Sequence, residues 1–221
     1  MINWALTNEM ITIGRKLYER QLIIATEGNF TLRIDKDRIL STPSGLCKGE
    51  LKVDDLVLIN SNGKHLSGRN KVSSEIALHL EVYRQRDDVK ACIHAHPQNC
   101  ISLMLNGKQL DRPILPESVI LLGKIPTAPY AKPSTSQVPE SIRPYVKQTD
   151  CILLNKHGSL SVGNSLQEAF YKLELLEHTA KCYLKALSIG KVSELSKAEI
   201  DALMELRKRT YQLNNPVIPF D

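Results

Sequence analysis

The sequence predicts one α/β domain folded around a mixed or antiparallel sheet. The chain has 221 residues, which is long enough for one substantial hydrophobic core. Short strand-like segments alternate with helical ones over the first three quarters, and two helical segments close the chain, a mixture typical of an α/β sandwich. The chain contains no G-x-G-x-x-G fingerprint, which argues against a doubly wound nucleotide-binding fold. We therefore expect a single domain over residues 1–221.

The first predicted element is a helix over residues 7–21. Met10, Ile13 and Leu17 follow one another at intervals of three and four residues, which places them on one face of a helix. Thr7 precedes this apolar stripe and has the side chain of a typical N-cap. We therefore expect the helix to begin at Thr7.

The other elements are predicted by the same criteria. Short apolar runs bounded by turn residues indicate strands at residues 30–34, 38–41, 56–60, 90–96 and 151–155. Further helices are predicted at residues 73–86, after Pro97, at 165–187 and at 196–211. Their expected N-caps are Ser73, Ser165 and Ser196, and Glu168 and Glu199 would complete capping boxes with the last two. Seven prolines between residues 113 and 144 predict an irregular path with short strands.

Composition and charge exclude several classes of protein. No run of 18 apolar residues occurs and the N-terminus lacks the apolar stretch of a signal peptide, so we expect a cytoplasmic protein without a membrane span. An odd number of cysteines, five, with no C-x-x-C pair argues against a disulfide framework and a thiolate zinc cluster. The net charge of +5 is scattered, and three Phe and one Trp offer little stacking surface. This disfavours nucleic-acid binding and fits a small anionic substrate.

The tetrapeptide His94-Ala95-His96-Pro97 is the most informative motif. Residues i and i+2 of a strand point to the same face, so His94 and His96 could form two arms of a metal site, or they could be surface histidines in a turn. A catalytic zinc takes three protein ligands. The third candidate is His157, at the end of a predicted strand, where Gly158 would permit close approach. The weaker candidates are His65, His79 and His178.

Several polar loops could bind a phosphate. Ser73 and Ser74 precede Glu75 at the predicted start of a helix, where free N–H groups favour an anion; an ordinary cap with an acidic first turn is the alternative. The pairs Gly28-Asn29 and Ser44-Gly45 lie in further loops. Either pair could be a plain turn, and together with the serines they could form a phosphate-binding nest.

The order of these motifs resembles the class II aldolase/adducin family. The motifs G-N, T-P-S-G, S-S-E, H-A-H-P and K-H-G follow one another between Gly28 and Gly158. The resemblance extends over nearly the whole chain, and it is strongest to the aldolases that cleave L-fuculose 1-phosphate. It implies a three-layer α/β/α sandwich with a mostly antiparallel central sheet. It also implies a homotetramer with active sites at subunit interfaces.

The resemblance further implies a role for each motif. His94, His96 and His157 resemble the three ligands of one Zn²⁺ per subunit, and other divalent metals could replace zinc. Glu75 resembles the catalytic acid/base carboxylate. The residues that resemble the phosphate site are Gly28, Asn29, Ser44, Gly45, Ser73 and Ser74.

Two further catalytic candidates lie outside these motifs. Tyr211, in the C-terminal Arg-Thr-Tyr, resembles a tail tyrosine thought to lie near the substrate. The family's aldolases have a proton-donating tyrosine upstream of a segment that matches residues 125–130. Here the upstream segment is Leu115-Pro116-Glu117-Ser118, without a tyrosine. Glu117 is therefore the alternative donor.

The expected activity is reversible aldol cleavage of a ketose 1-phosphate to dihydroxyacetone phosphate and an aldehyde. The same frame serves pentulose-5-phosphate 4-epimerases, methylthioribulose-1-phosphate dehydratases and sugar-acid phosphate decarboxylases, which are alternatives. A non-catalytic adducin-like module is an alternative of another class. Retention of the three histidines and Glu75 argues against it. The expected partner is a small phosphorylated sugar, not a nucleic acid or a membrane.

Overall fold

The computed structural model describes residues 4–220. The α-helices are α1 (Trp4–Glu19), α2 (Ile76–Gln85), α3 (Gln98–Leu105), α4 (Pro116–Leu121), α5 (Gln137–Ile142), α6 (Leu166–Ile189) and α7 (Lys197–Arg209). The strands are β1 (Asn29–Arg33), β2 (Arg38–Ser41), β3 (Val57–Asn60), β4 (His65–Ser67), β5 (Ala91–Ala95), β6 (Thr127–Ala128), β7 (Cys151–Leu154) and β8 (Gly158–Gly163). Short 3₁₀ helices lie at Lys48–Glu50 and Val53–Asp55. Among the described residues, none of the helices is both long and apolar enough to cross a membrane.

The strands form one sheet in the order β4-β3-β2-β1-β5-β8-β7-β6. Neighbouring strands pair antiparallel, except that β6 runs parallel to β7. The sheet is therefore mixed, and the α/β class predicted from the sequence is confirmed. Strand β5 lies at the centre, between β1 and β8.

Apolar side chains cover both faces of this sheet. Ile93 on β5 belongs to a core that includes residues of α1, α3 and α6, whereas Cys92 belongs to a second core with α2 and α5. Successive residues of a strand point to opposite faces. His94 therefore lies on the same face as Cys92, under α2.

Two predicted N-caps are wrong. Thr7 lies inside α1, where its hydroxyl donates to the carbonyl oxygen of Trp4 at 2.8 Å; the apolar stripe begins one turn after the helix does. Helix α2 begins at Ile76 with Glu75 at the N-cap position. Ser73 instead accepts from the backbone N–H of Glu75 at 3.3 Å, in the turn before the helix.

The two predicted capping boxes differ. Ser196 and Glu199 form a complete box at the start of α7. Ser165 accepts from the N–H of Glu168 at 3.1 Å, but the Glu168 carboxylate accepts from Asn164, one residue earlier, at 2.8 Å. The second box is therefore displaced by one residue.

The proline-rich segment and one buried strand also differ from expectation. Residues 113–144 contain the short helices α4 and α5 and only the two-residue strand β6, because prolines begin or enter helical turns there. The sequence Gly-Ser-Leu-Ser-Val-Gly was not predicted as a strand, yet it forms β8, which is buried throughout. Ser159 and Ser161 alternate with Leu160 and Val162, which is a strand pattern; the pattern is only four residues long, and pairing with β5 and β7 completes the strand.

Candidate metal centre

Three histidines and one carboxylate meet at the ends of β5, β7 and β8. His94 lies on β5 and His96 directly follows that strand. His157 lies in the turn between β7 and β8, where its N–H donates to the Leu154 carbonyl at 2.9 Å. The β5–β8 ladder pairs Ala95 with Ser159, so the turn that carries His157 lies beside His96. Glu75 reaches this point from the start of α2.

The four side chains are close enough to share one ion. Their ligand atoms all lie within 4.8 Å of one another. The Nε2 atoms of His94 and His96 are 3.1 Å apart. The Glu75 carboxylate lies 3.2 Å from His94 Nε2 and 3.5 Å from His157 Nε2. The imidazole centroids are separated by 4.8 to 5.1 Å. This arrangement matches three histidine ligands with a carboxylate beside them.

The hydrogen bonds of His94 favour a cation at the centre. His94 Nδ1 lies 2.9 Å from the Ser159 carbonyl oxygen, so Nδ1 carries a proton and a neutral ring has its lone pair on Nε2. That lone pair faces His96 and the Glu75 carboxylate. One buried Glu75 oxygen, Oε1, has no hydrogen-bond partner among the described residues. Imidazole lone pairs that point towards one centre, beside a carboxylate oxygen without a hydrogen-bond partner, are typical of a site for a divalent metal ion.

The titration of these groups is consistent with metal binding. Burial raises the pKa of Glu75, but its close contact with His94 and the proximity of His157 and His96 lower that pKa to about 2. Burial, together with His94 and His157, lowers the pKa of His96 to about 3. Burial also lowers the pKa of His157. At neutral pH the Glu75 carboxylate is therefore ionised and the His96 imidazole is neutral, the forms that bind metals.

Gly158 makes the approach of His157 to His96 possible. A Cβ atom at this position would lie 2.3 Å from the Ala95 carbonyl oxygen and 3.0 Å from His96 Cδ2. Gly28 is similarly confined: its φ is +68°, and a Cβ atom would lie 2.9 Å from the His94 carbonyl oxygen. Its neighbour Asn29 pairs with His94 in the β1–β5 ladder and donates to Glu75 at 3.5 Å.

Two of the three predicted phosphate loops, those at Ser44-Gly45 and Ser73-Ser74, lie beside each other, although some of their donors are already used. A bridge joins Pro43 to Val72, which brings Ser44 and Gly45 close to Ser73. The N–H of Ser44 donates to the Lys71 carbonyl at 2.9 Å. Gly45 has a φ of +74° and open space around it. The hydroxyl of Ser74 is exposed and lies 2.9 Å from that of Ser134.

Two predicted catalytic residues are not brought to the cluster within one chain. Glu117 is exposed on α4 and lines a groove with Leu121, Tyr171 and Leu213. Tyr211 follows α7 and is 53% exposed. In the described part of the chain, no hydrogen bond or ion pair joins either residue to the histidines. Any role of theirs therefore requires contact with another subunit or a closing movement.

Sequence reasoning missed residues beside the cluster. Glu27 Oε2 lies 3.6 Å from His96 Nδ1, and the only signal was its position next to Gly28. Lys48 is buried and donates to the Thr26 carbonyl at 2.5 Å. His79 is also fully buried, with Nδ1 2.8 Å from the Thr31 hydroxyl. His79 was among the weaker metal candidates in the sequence, and the structure places it on the buried side of α2.

Comparison with known proteins places the chain in a family. A family model described as the class II aldolase and adducin N-terminal domain matches residues 8–184. A 3-oxo-tetronate 4-phosphate decarboxylase of Pectobacterium atrosepticum is 30% identical over 199 residues, covering 85% of this chain and 91% of that protein. An L-fuculose phosphate aldolase of Methanocaldococcus jannaschii is 34% identical over 183 residues, covering 83% of this chain and 98% of that protein.

Solved structures agree with this assignment. An L-fuculose 1-phosphate aldolase structure superimposes with a TM-score of 0.85 at 31% identity, covering 94% of this chain and 98% of that one. The chain belongs to the class II aldolase and adducin family.

Proposed function

We propose that this protein is a zinc-dependent lyase that breaks a carbon–carbon bond next to the carbonyl group of a small phosphorylated sugar. The observation that carries the proposal is the convergence of His94, His96 and His157 with Glu75. The class II aldolases of this family are metal-dependent enzymes, and a three-histidine site suits zinc. When bound, the ion supplies a positive charge that stabilises negative charge on a substrate oxygen.

Glu75 is the proposed proton-transfer group. Its carboxylate is partly buried, ionised and adjacent to the metal ligands. It is therefore able to accept a proton from a bound substrate and to return it to a carbon atom. Asn29 would hold this carboxylate through its side-chain amide, which lies 3.5 Å away.

The adjacent loops are the proposed phosphate site. The Pro43–Val72 bridge brings the open backbone at Gly45 close to Ser73 and Ser74, and these serines directly precede Glu75 at the positive end of α2. A phosphate bound there would fix the position of the reacting carbons and supply binding energy remote from the bond that breaks. The phosphate would also match the basic net charge of the chain.

The first candidate reaction is aldol cleavage of a ketose 1-phosphate such as L-fuculose 1-phosphate. The C4 hydroxyl loses its proton, the C3–C4 bond breaks, and the electron pair passes to the carbon next to the carbonyl. Protonation of that carbon gives dihydroxyacetone phosphate, and the other product is an aldehyde. Similarity to fuculose-phosphate aldolases supports this reaction.

The second candidate is decarboxylation of a 3-oxo sugar acid 4-phosphate. Loss of CO₂ from 3-oxo-tetronate 4-phosphate leaves the same electron pair and, after protonation, the same dihydroxyacetone phosphate. No substrate hydroxyl has to be deprotonated in that reaction. Residues 115–118 lack the tyrosine that the family's aldolases use as a proton donor, and the absence of this tyrosine specifically favours decarboxylation. Similarity to 3-oxo-tetronate 4-phosphate decarboxylases also supports it.

One assay decides between the two candidates. The zinc-loaded protein is incubated with each substrate, and dihydroxyacetone phosphate is followed by coupled reduction. We expect Glu75→Gln to lower turnover by about 10²- to 10⁴-fold, as for loss of a general acid or base, while most of the zinc is retained. The control is Glu50→Gln, which removes the same negative charge at an exposed position. Failure of the zinc-loaded enzyme on both substrates would exclude both reactions.

A further inference from the structure

The segment before β1 encloses one side of the histidine cluster and is fixed at both ends. At one end, the His96 N–H donates to the Leu22 carbonyl at 3.0 Å. At the other, Asn29 pairs with His94 in the β1–β5 ladder. Glu27 lies between these anchors, two residues before Asn29, so its backbone has a defined position relative to the metal ligands.

The His96 ring has one nitrogen facing the cluster and the other facing Glu27. Nε2 lies 3.1 Å from His94 Nε2, and Nδ1 lies 3.6 Å from Glu27 Oε2. A histidine that binds a metal through Nε2 carries its proton on Nδ1, and the acceptor of that proton fixes the ring orientation. The separation slightly exceeds a hydrogen bond. The Glu27 side chain is 55% exposed, so a small rotation can close the gap.

A buried lysine lies behind the same turn. Lys48 is only 2% exposed, and its ammonium group donates to the carbonyl of Thr26, the residue before Glu27. Burial lowers the pKa of Lys48, and the charge of Glu27 opposes that shift. The charge of Glu27 therefore favours the ionised form of Lys48. Lys48 holds the turn on which Glu27 is carried.

We propose that Glu27 is a positioning residue of the metal centre: it accepts the Nδ1 proton of His96, and Lys48 holds the turn at residues 26–27 in place for that contact. The proposal rests on the metal-dependent function proposed above and adds a carboxylate–histidine–metal arrangement to it. A ligand histidine bonded to a carboxylate is more basic and better oriented. Glu27 therefore strengthens metal binding without touching the substrate.

The test measures zinc affinity in the absence of any sugar. The full-length protein is stripped of metal and titrated with zinc in competition with a chromophoric chelator. We expect Glu27→Ala to weaken zinc binding roughly 10- to 100-fold, the usual effect of losing such a partner. Glu27→Gln should lose less, because its amide oxygen can still accept the proton. Glu50→Ala removes one exposed negative charge away from the His96 ring and should leave the affinity unchanged.

A second variant tests the part played by Lys48. Lys48→Met should weaken zinc binding, and adding it to Glu27→Ala should have less effect than it has alone, because the two residues act on one contact. Urea unfolding of the metal-free proteins identifies variants that fail to fold. If Lys48→Met does not fold, the zinc affinities of the Glu27 variants test the proposal without it.

Equal zinc affinities of Glu27→Ala and Glu50→Ala would overturn the proposal. A wild-type protein that binds zinc but cleaves neither sugar phosphate would overturn the proposed function alone, because the affinity difference at Glu27 is measured without substrate. The two failures are therefore distinguishable.

Discussion

Gly158 shows, at the scale of single residues, how little space separates the strands that carry the histidines. We expect Gly158→Ala to force β8 away from β5, because a Cβ atom there would lie 2.3 Å from the Ala95 carbonyl oxygen. Overpacking of this kind costs about 1–3 kcal/mol. Urea unfolding and zinc titration should both report a loss. Gly190→Ala, with nothing within 4 Å of its Cβ atom, should change neither.

Buried hydroxyl groups give a second prediction at this scale. Thr31 Oγ1 contacts His79 Nδ1 and Tyr83 Oη, each at 2.8 Å, so Thr31→Val leaves two buried polar groups without this partner. We expect a loss of about 1–3 kcal/mol in the free energy of unfolding. The Ser161 hydroxyl is equally buried and has no partner among the described residues. Ser161→Ala should therefore be close to neutral, and equal losses in the two variants would contradict this explanation.

At the scale of elements, α3 and α6 are joined by a cap supplied from a distant part of the chain. The Glu177 carboxylate on α6 accepts from the N–H groups of Asn99 and Cys100 at 2.9 and 3.1 Å, and from the Asn99 side chain at 2.7 Å. Helix α3 has no side-chain cap at its own N-cap residue, Pro97. Because α3 begins directly after His96, this cap also bears on the metal centre.

We expect Glu177→Ala to lower the free energy of unfolding by about 1–2 kcal/mol, as for loss of a helix cap, and to weaken zinc binding. Glu174→Ala, on the same helix, removes a carboxylate that pairs with the half-exposed Arg20. Its effect should stay within about 1 kcal/mol. Circular dichroism during urea unfolding measures both variants. A larger loss in the Glu174 variant would contradict the assignment of Glu177 as the cap.

At the scale of the whole molecule, a buried ionic network ties the C-terminal segment to the sheet. Asp150 is 4% exposed and accepts from Arg86, Lys172 and Asn215 at 2.5, 2.7 and 2.8 Å. Arg207 on α7 donates to the Asn215 side chain at 2.9 Å. Residues far apart in the sequence therefore share one buried carboxylate.

We expect Asp150→Asn to destabilise the protein by about 1–3 kcal/mol, because Arg86 and Lys172 lose the buried carboxylate that they share and keep only Asp88 and Glu168 as acidic partners. Asp201→Asn removes an exposed carboxylate 3.7 Å from Lys197 and should change stability by less than about 1 kcal/mol. Thermal unfolding of both variants, compared with the wild type at one zinc concentration, measures the difference. Similar melting temperatures would show that the network contributes little.

The proposed tetramer is tested by its mass and by mixing of subunits. We expect light scattering to give four times the 24.8 kDa of one chain. If Glu117 or Tyr211 acts across an interface, a Glu75→Gln chain and a Tyr211→Phe or Glu117→Gln chain should regain activity when they are refolded together. A mixed oligomer then contains sites with no altered residue. A monomeric mass would contradict active sites at subunit interfaces. So would a refolded mixture that is no more active than the two weakly active variants alone.

The sequence by itself determined the class of fold and the four residues that form the cluster. The H-x-H pair at the end of an apolar strand and a further histidine before Gly158 were recognisable as candidate ligands because strand periodicity and ligand chemistry are local properties. Capping at Ser196 was predictable for the same reason, since the residues that bond to each other are three positions apart. Glu75 was recognised only through the order of motifs that resembles the class II aldolase/adducin family.

Only the tertiary structure decided how these parts meet. Strand β8 is held between β5 and β7, which pair with it on both sides, and its four alternating polar and apolar residues are too short a pattern to predict a strand without those partners. The contact of Glu27 with His96, the cap that Glu177 places on α3, and the burial of Asp150 all join residues distant in the sequence. Such contacts depend on packing between elements, which periodicity and propensity along the chain do not encode.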